Sequence, residues 1–436
     1  MDYIIDDSEI RNRPIVTEWT REIASLRFDN KSGISGSLYY ICIPHCMEEF
    51  VQHDGNIIAM SCFPPFPRTS DSLDFILQYI NKNVKDENTK VFFDNLHEGH
   101  VLGCIKGIHA IVKQANLNPK NIYFFSGGME AQKLYDQYCI KHGIISKINI
   151  RVLLVWERHI SHNSPNTANE IKYEIKIKDK LFLCFNRMAR KQRIALLGLL
   201  YSKKIVDRAF YSFFPSYYGS TSCLNILHDL KNCVSESLFN TISQEINLNY
   251  SKFPLLLNTT TVDDNANYVK TDDAAYYSNS YFSLVTETFF FNTPRFGPLD
   301  YEEQSVFFSE KIFKPIIGKH PFIQLNRPHA LGYLRKIGYK TFHPYINESY
   351  DTIENDEERL VAIVAEVERL SKQTPEQWIE WQRNVAPVVE HNYKTITSKS
   401  IKDHVFVDTD YTVINEKQDW RKRLAQFSGN KRPVSE

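Results

Sequence analysis

Three short stretches carry residue types able to do chemistry together. In "FFSEKIFKPIIGKHPFIQL" (residues 307–325) a serine, an acid and a base, Ser309, Glu310 and Lys311, stand between two aromatics and an apolar run. Serine is a good N-cap, so Glu310 and Lys311 fall in the first turn of a predicted helix. Free N–H groups and the positive end of the helix dipole suit such a place to phosphate. A lysine there adds a compact cation for a diphosphate, and a carboxylate can accept hydrogen bonds from ribose hydroxyls. An ordinary helix start, with an acid favoured by the dipole and a solvated lysine, has the same local pattern.

The second stretch is "NRMARKQRIALLGLL" (186–200), which opens a predicted helix with a cluster of bases. Basic residues are disfavoured near a helix N-terminus unless an anion is present, and the guanidinium fork of arginine matches phosphate oxygens. The third, "FFDNLHEGH" (92–100), sets Asp94, His97, Glu98 and His100 just beyond a predicted strand, where a general base would face a ligand. Its histidines stand three residues apart, not the four of the zinc-protease HExxH pattern. Glu98 and Asp94 are the candidate catalytic bases, with His97 next. "FFSGGME" (124–130) supplies a second loop at the same rim, where Ser126 and Gly127 could line an acceptor or a sugar.

These stretches need a scaffold. Over residues 1–160 buried-type runs alternate with helical patterns, the signature of a parallel α/β sheet. "SLYYICIP", "KVFFDN", "NIYFFSGG" and "NIRVLLVWE" read as strands, and "DSLDFILQYINKN" and "MEAQKLYDQYCIKHG" as helices. Residues 161–180, "HISHNSPNTANEIKYEIKIKDK" in their wider context, are polar and read as a linker. The alternation restarts over 181–385: "KLFLCF", "RAFYSFF", "SYFSLVTE", "PFIQL" and "YKTF" read as strands. A helical insertion spans about 219–249, and Leu360, Ile363, Val364, Val367 and Leu370 form one helical face. Residues 386–436 form a helical tail, expected to pack back on the first domain. The fold class is therefore α/β: two Rossmann-like domains facing across a cleft, followed by C-terminal helices. Ligands of open α/β sheets bind at the carboxyl ends of strands.

Composition narrows the class. The 436 residues carry 52 basic and 52 acidic side chains, so no global field recruits nucleic acid or an anionic membrane. The start "MDYIIDDSEI" lacks the basic and apolar regions of a secretory signal, and no apolar run reaches membrane-spanning length. A cytoplasmic location follows as an expectation. The eight cysteines form no CxxC pair; Cys42, His45 and Cys46 would need further ligands to hold zinc. The pairs Asp6–Asp7, Asp263–Asp264 and Asp272–Asp273 read as loop acids, so no metal is expected. Neither first strand is followed by GxGxxG, which disfavours a dinucleotide-dependent oxidoreductase.

In order, "FLCFNRMARKQRIALLGLL", "YFSLVTETFF" and "FFSEKIFKPIIGKHPFI" resemble the nucleotide-sugar segments of fucosyltransferase-like glycosyltransferases of the GT-B architecture. The resemblance covers about residues 180–342, and "IFKPIIGKHPF" departs from the run of small residues usual after the lysine. It implies transfer of a sugar from a nucleotide donor to a hydroxyl by inverting displacement, with no cofactor beyond the nucleotide sugar as co-substrate and no metal. Carried over residue by residue, it implies that Lys311 with Arg187 or Arg193 binds the diphosphate. Glu310 would then hold the ribose, and Glu287 would face the nucleotide or sugar, with Ser309 completing the donor site. Sequences of this style also resemble phage and giant-virus glycosyltransferases, some of which modify hydroxymethylated DNA bases. The acceptor is thus a glycan or a DNA base; the basic "DWRKRLAQFSGNKRP" leans towards DNA, the zero net charge against it. A non-enzymatic nucleotide or sugar sensor is the alternative from another class.

Overall fold

The computed structural model describes residues 57–61, 77, 80–81, 90–96, 99, 102–164, 170–217, 221–257, 269–292, 305–399 and 405–406. The expected strand at 37–44, the cysteines at 42 and 46, the acid pairs at 6–7 and 263–264 and the basic stretch at 419–433 lie outside them.

The first sheet has five strands in the order β1–β2–β3–β4–β11. Four are parallel: β1 (Ile57–Ser61), β2 (Lys90–Asn95), β3 (Ile122–Ser126) and β4 (Asn149–Leu153). Helices α1 (Leu102–Gln114) and α2 (Ala131–His142) connect them, and α3 (Val155–Asn163) leaves the last. All five residues of β3 are buried, as expected of a parallel strand covered on both faces. Gly143 closes α2 at φ 63°, a left-handed turn that glycine adopts without steric cost.

The second sheet is wholly parallel, in the order β10–β9–β5–β6. It contains β5 (Lys180–Phe185), β6 (Phe210–Ser212), β9 (Ser280–Thr286) and β10 (Phe322–Leu325). Helix α4 (Lys191–Ser202) joins β5 to β6. A two-stranded hairpin, β7 (Ser216–Tyr217) with β8 (Thr221–Ser222), leads into α5 (Cys223–Asp229) and α6 (Glu236–Asn249), followed by the short α7 (Ala274–Ser278). Helix α8 (Glu310–Ile317) precedes β10, and α9 (Ala330–Lys336), α10 (Asp356–Ser371) and α11 (Pro375–Ser398) follow it. The five apolar residues predicted to share a face of α10 are all buried. Two parallel α/β sheets with C-terminal helices are thus present, the fold class the alternation predicts.

Four details differ from the sequence reading. Strand β1, the short run "IIAMS", goes unassigned there because polar and proline-rich text flanks it. The strand at 149–157 stops at Leu153, and "VWE" begins α3, which runs to Asn163 inside the expected linker. "YKTF" forms no strand. Side chains replace the ladder there: Asn392 pairs with both the N–H and the C=O of Lys340, and the Glu348 carboxylate accepts from the amides of Phe342 and His343. The tail is not helical throughout, because β11 (Val405–Phe406) adds antiparallel to β4.

The two sheets share one continuous apolar cluster. Helix α3 packs on α8, and α11 touches both. At that junction the fully buried Glu157 accepts from the Tyr339 hydroxyl and pairs with Lys399 Nζ at 2.6 Å. The segment before β5 is tied to α11: the Tyr173 hydroxyl donates to the Gln382 carbonyl, and the Gln382 amide pairs with the N–H and C=O of Lys176.

Candidate functional site

The site forms where β9 ends and α8 begins. Ser309 caps α8 with extended backbone, its hydroxyl accepting from the Lys311 N–H at 3.3 Å. The Lys311 ammonium reaches back to the same hydroxyl at 2.9 Å and to Glu310 Oε1 at 2.9 Å. Glu287, the first residue beyond β9, is fully buried and gives both oxygens to Ser309: the serine hydroxyl donates at 2.5 Å and its N–H at 3.3 Å. Two elements, the end of β9 and the start of α8, are thereby fixed through one serine, and Glu287 positions that serine.

Arginine 193, in the first turn of α4, also reaches the end of β9. Its side chain is buried, Nε donating to Thr286 Oγ1 at 3.2 Å and one terminal nitrogen to the Met188 carbonyl at 2.9 Å. Thr286 in turn donates to Asn186, whose amide also reaches Cys184 Sγ and the Tyr211 hydroxyl. Gln192 donates to the carbonyls of Glu287 and Thr288 at 2.8 and 3.1 Å. The turn before α4 and the first turn of that helix therefore hold the end of β9 together with Ser309.

The electrostatics link these groups. Burial raises the Glu310 carboxyl, but Lys311 and Lys314 outweigh it and hold the group at about 2, so it is charged at neutral pH. Burial pushes the Glu287 carboxyl up, against the pull of Lys311 and the Ser309 hydroxyl. Burial also lowers Arg193, with Glu310 and Glu287 among the groups opposing it. Burial lowers the Lys314 ammonium; Glu310 and Asp273 raise it, while Lys311 and Arg187 lower it further. Four cations, Arg187, Arg193, Lys311 and Lys314, thus share their fields with Glu310, Asp273 and Glu287, and burial works against charge on Glu287, Arg193 and Lys314 alike. Four basic groups against three acidic ones, beside a helix N-terminus, make a setting suited to an anion.

Of the expected site residues, Ser309, Glu310, Lys311, Glu287 and Arg193 converge, and the charge of the half-buried Arg187 reaches them through Lys314. Ser126 ends β3 on the other sheet, and Gly127 follows it. Both are buried, and the Ser126 hydroxyl accepts the Gly128 N–H at 3.0 Å, shaping the turn. Asp94 is the penultimate residue of β2, opposite Phe125 of β3. Its side chain, with His97, Glu98 and His100, lies outside the described residues. Lys314 escapes the sequence reading although it stands four residues from Glu310, the spacing at which helical side chains meet. No group of three or more metal-ligating side chains occurs among the described residues, and no described helix is long and apolar enough to cross a membrane.

Three glycines let the sheets approach at this point. A Cβ on Gly127 would lie 2.4 Å from the Leu96 carbonyl oxygen and 2.6 Å from the Phe307 ring; one on Gly99 would lie 2.7 Å from Phe307. Gly128 bridges Phe307 as an antiparallel pair. Because the Leu96 oxygen is backbone and cannot swing aside, Gly127→Ala is expected to destabilise the protein by about 1–3 kcal/mol. Denaturant unfolding checks this, and an unchanged midpoint would show that the loop relaxes freely.

No described protein family matches the chain, and no curated protein matches it. Among solved structures it is similar to the N-terminal domain of trehalose-6-phosphate phosphatase from Candida albicans, with TM-score 0.37 and 10% identity over 90% of this chain and 83% of that one. It is also similar to α,α-trehalose 6-phosphate synthase from Burkholderia multivorans (TM-score 0.40, 9% identity, 87% of this chain and 74% of that one). A UDP-forming α,α-trehalose-phosphate synthase from Burkholderia vietnamiensis gives TM-score 0.38 and 10% identity over 82% and 77%.

Proposed function

We propose that the protein is a glycosyltransferase that moves a sugar from a nucleotide-sugar donor to a hydroxyl acceptor. The observation that carries this reading is the positive cluster of Arg187, Arg193, Lys311 and Lys314 around the Ser309-capped start of α8, at the carboxyl end of β9. A departing nucleoside diphosphate gains negative charge in the transition state, so cations fixed beforehand lower the barrier. Lys311 and Arg187, both partly exposed, meet the diphosphate; Glu310, held charged, faces a ribose hydroxyl; Glu287 and Arg193 hold the frame.

In the transfer itself the acceptor oxygen bonds to the anomeric carbon as the bond from that carbon to the diphosphate oxygen breaks. The electron pair leaves with the diphosphate, and the acceptor proton passes to Asp94, His97 or Glu98. A single displacement of this kind inverts the anomeric centre, and the lysine and arginine charges supply the neutralisation a metal would otherwise give. The acceptor is a glycan hydroxyl; a balanced net charge gives no general attraction to DNA.

A thermal-shift screen of uridine, guanosine, adenosine and thymidine diphosphates and their sugars tests the reading. A ligand that prefers the folded state stabilises it by about 2.7 kcal/mol at a hundred times its dissociation constant. At least one diphosphate is expected to raise the melting temperature while the matching nucleoside does so less. No shift with any diphosphate would overturn the assignment.

A further inference from the structure

Ser305–Phe308, the segment that leads into α8, is gripped from both sheets. On the side of the second sheet, Asn326 Nδ2 donates to the Phe307 carbonyl at 3.2 Å, and Glu287 takes the N–H and hydroxyl of Ser309. From the first sheet the grip comes from Glu130, the N-cap residue of α2. Its backbone N–H donates to Ser305 Oγ at 2.7 Å, and its carboxylate accepts the Val306 N–H at 3.2 Å. The neighbouring Met129 N–H donates to the Val306 carbonyl at 2.8 Å, and Gly128 bridges Phe307. The charge of Glu130 also acts on Arg327, just beyond β10.

Glu130 offers α2 no side-chain cap. One carboxylate oxygen lies 3.5 Å from Lys133 Nζ in α2, and the other turns to a segment 176 residues away. Val306 is separated from Ser309 by Phe307 and Phe308, both buried, so a shift at Val306 passes along a short packed stretch to the serine that seats Lys311.

We propose that Glu130 is a positioning residue for the diphosphate site: from the opposite sheet it fixes the approach to Ser309 and so sets where the Lys311 ammonium meets the ligand. The proposal rests on the reading of α8 as a diphosphate site. Misplacement of a binding group by about 1 Å, caused far from the ligand, is enough to cost much of its effect.

The test uses the full chain and titration calorimetry with two probes, the diphosphate that shifts wild type most and its parent nucleoside. Glu130→Ala is expected to weaken diphosphate binding about tenfold, equivalent to ~1.4 kcal/mol, with nucleoside affinity unchanged. Glu130→Gln, whose amide oxygen still accepts the Val306 N–H, is expected to restore most of that affinity. Should the alanine variant fail to fold, Glu130→Asp, which draws the carboxylate back from Val306, carries the same expectation as the alanine. Diphosphate affinity unchanged in the alanine variant, or weakened together with that of the nucleoside, overturns the proposal while leaving the diphosphate site standing. Wild type binding no diphosphate overturns the site itself.

Discussion

Lys311→Ala is expected to weaken nucleoside-diphosphate binding roughly 100-fold while the free protein keeps its fold. One charge-assisted hydrogen bond contributes about 1.5–3 kcal/mol, and each ~1.4 kcal/mol is a factor of ten in affinity. The ammonium bonds Ser309 Oγ and Glu310 Oε1 at 2.9 Å each, so it is oriented before any ligand arrives. Its removal leaves Glu310 with Lys314 and the buried Arg193 acting on it, which keeps that buried carboxylate compensated in the free protein. The side chain is 21% exposed, and its loss opens no core cavity. Calorimetry with the best diphosphate, beside unfolding of the free variant, checks both halves of the statement. Undiminished affinity would remove the lysine from the site.

The largest stability effect is expected at Arg359. Its guanidinium, 1% exposed, donates to the carbonyls of Asn326, Ile353, Glu354 and Phe290, pairs with Asp356 at 2.5 Å and lies 4.5 Å over the Phe290 ring. It therefore ties the loop after β9 to the end of β10 and to the start of α10. Arg359→Met keeps the apolar stem but strands Asp356 and four carbonyls, so a loss of about 3–5 kcal/mol is expected. Arg359→Lys recovers only part of this, because a point charge cannot reach four carbonyls spread around a planar fork. Chemical denaturation measures the loss; a change below about 1 kcal/mol would place the burden on other contacts. Asn292, whose N–H donates to Asp356 at 2.6 Å, makes the loop from Glu287 to Asn292 the first region expected to loosen.

Local rules read well from the sequence, and contacts between distant segments did not. The Ser309 cap follows from neighbours along the chain and stands as expected, and the strand read as ending at Glu287 stops one residue earlier, at Thr286. That Glu287 spends both oxygens on Ser309 depends on two segments 22 residues apart coming together, which no periodicity encodes. Arginine 193 was readable as a base near a helix start but not as a buried one. Gln192 through Leu200 are all buried, so α4 has no polar face against which to place it. Arg359 did leave a trace: it stands four residues before Ile363, on the apolar side of α10. The polar text "NDEERL" hides it. Glu130 left none, since an acid at a helix N-cap invites only the capping explanation.

Strand β11 borrows from far along the chain to cover the flank of β4, pairing Val405 with Leu153 and Phe406 with Val152. During synthesis the first sheet therefore waits, with one rim of amide and carbonyl groups uncovered, while some 250 further residues leave the ribosome. An open rim of this kind is a template for wrong partners. For the flank of β4, the order of manufacture and the order of completion are opposed.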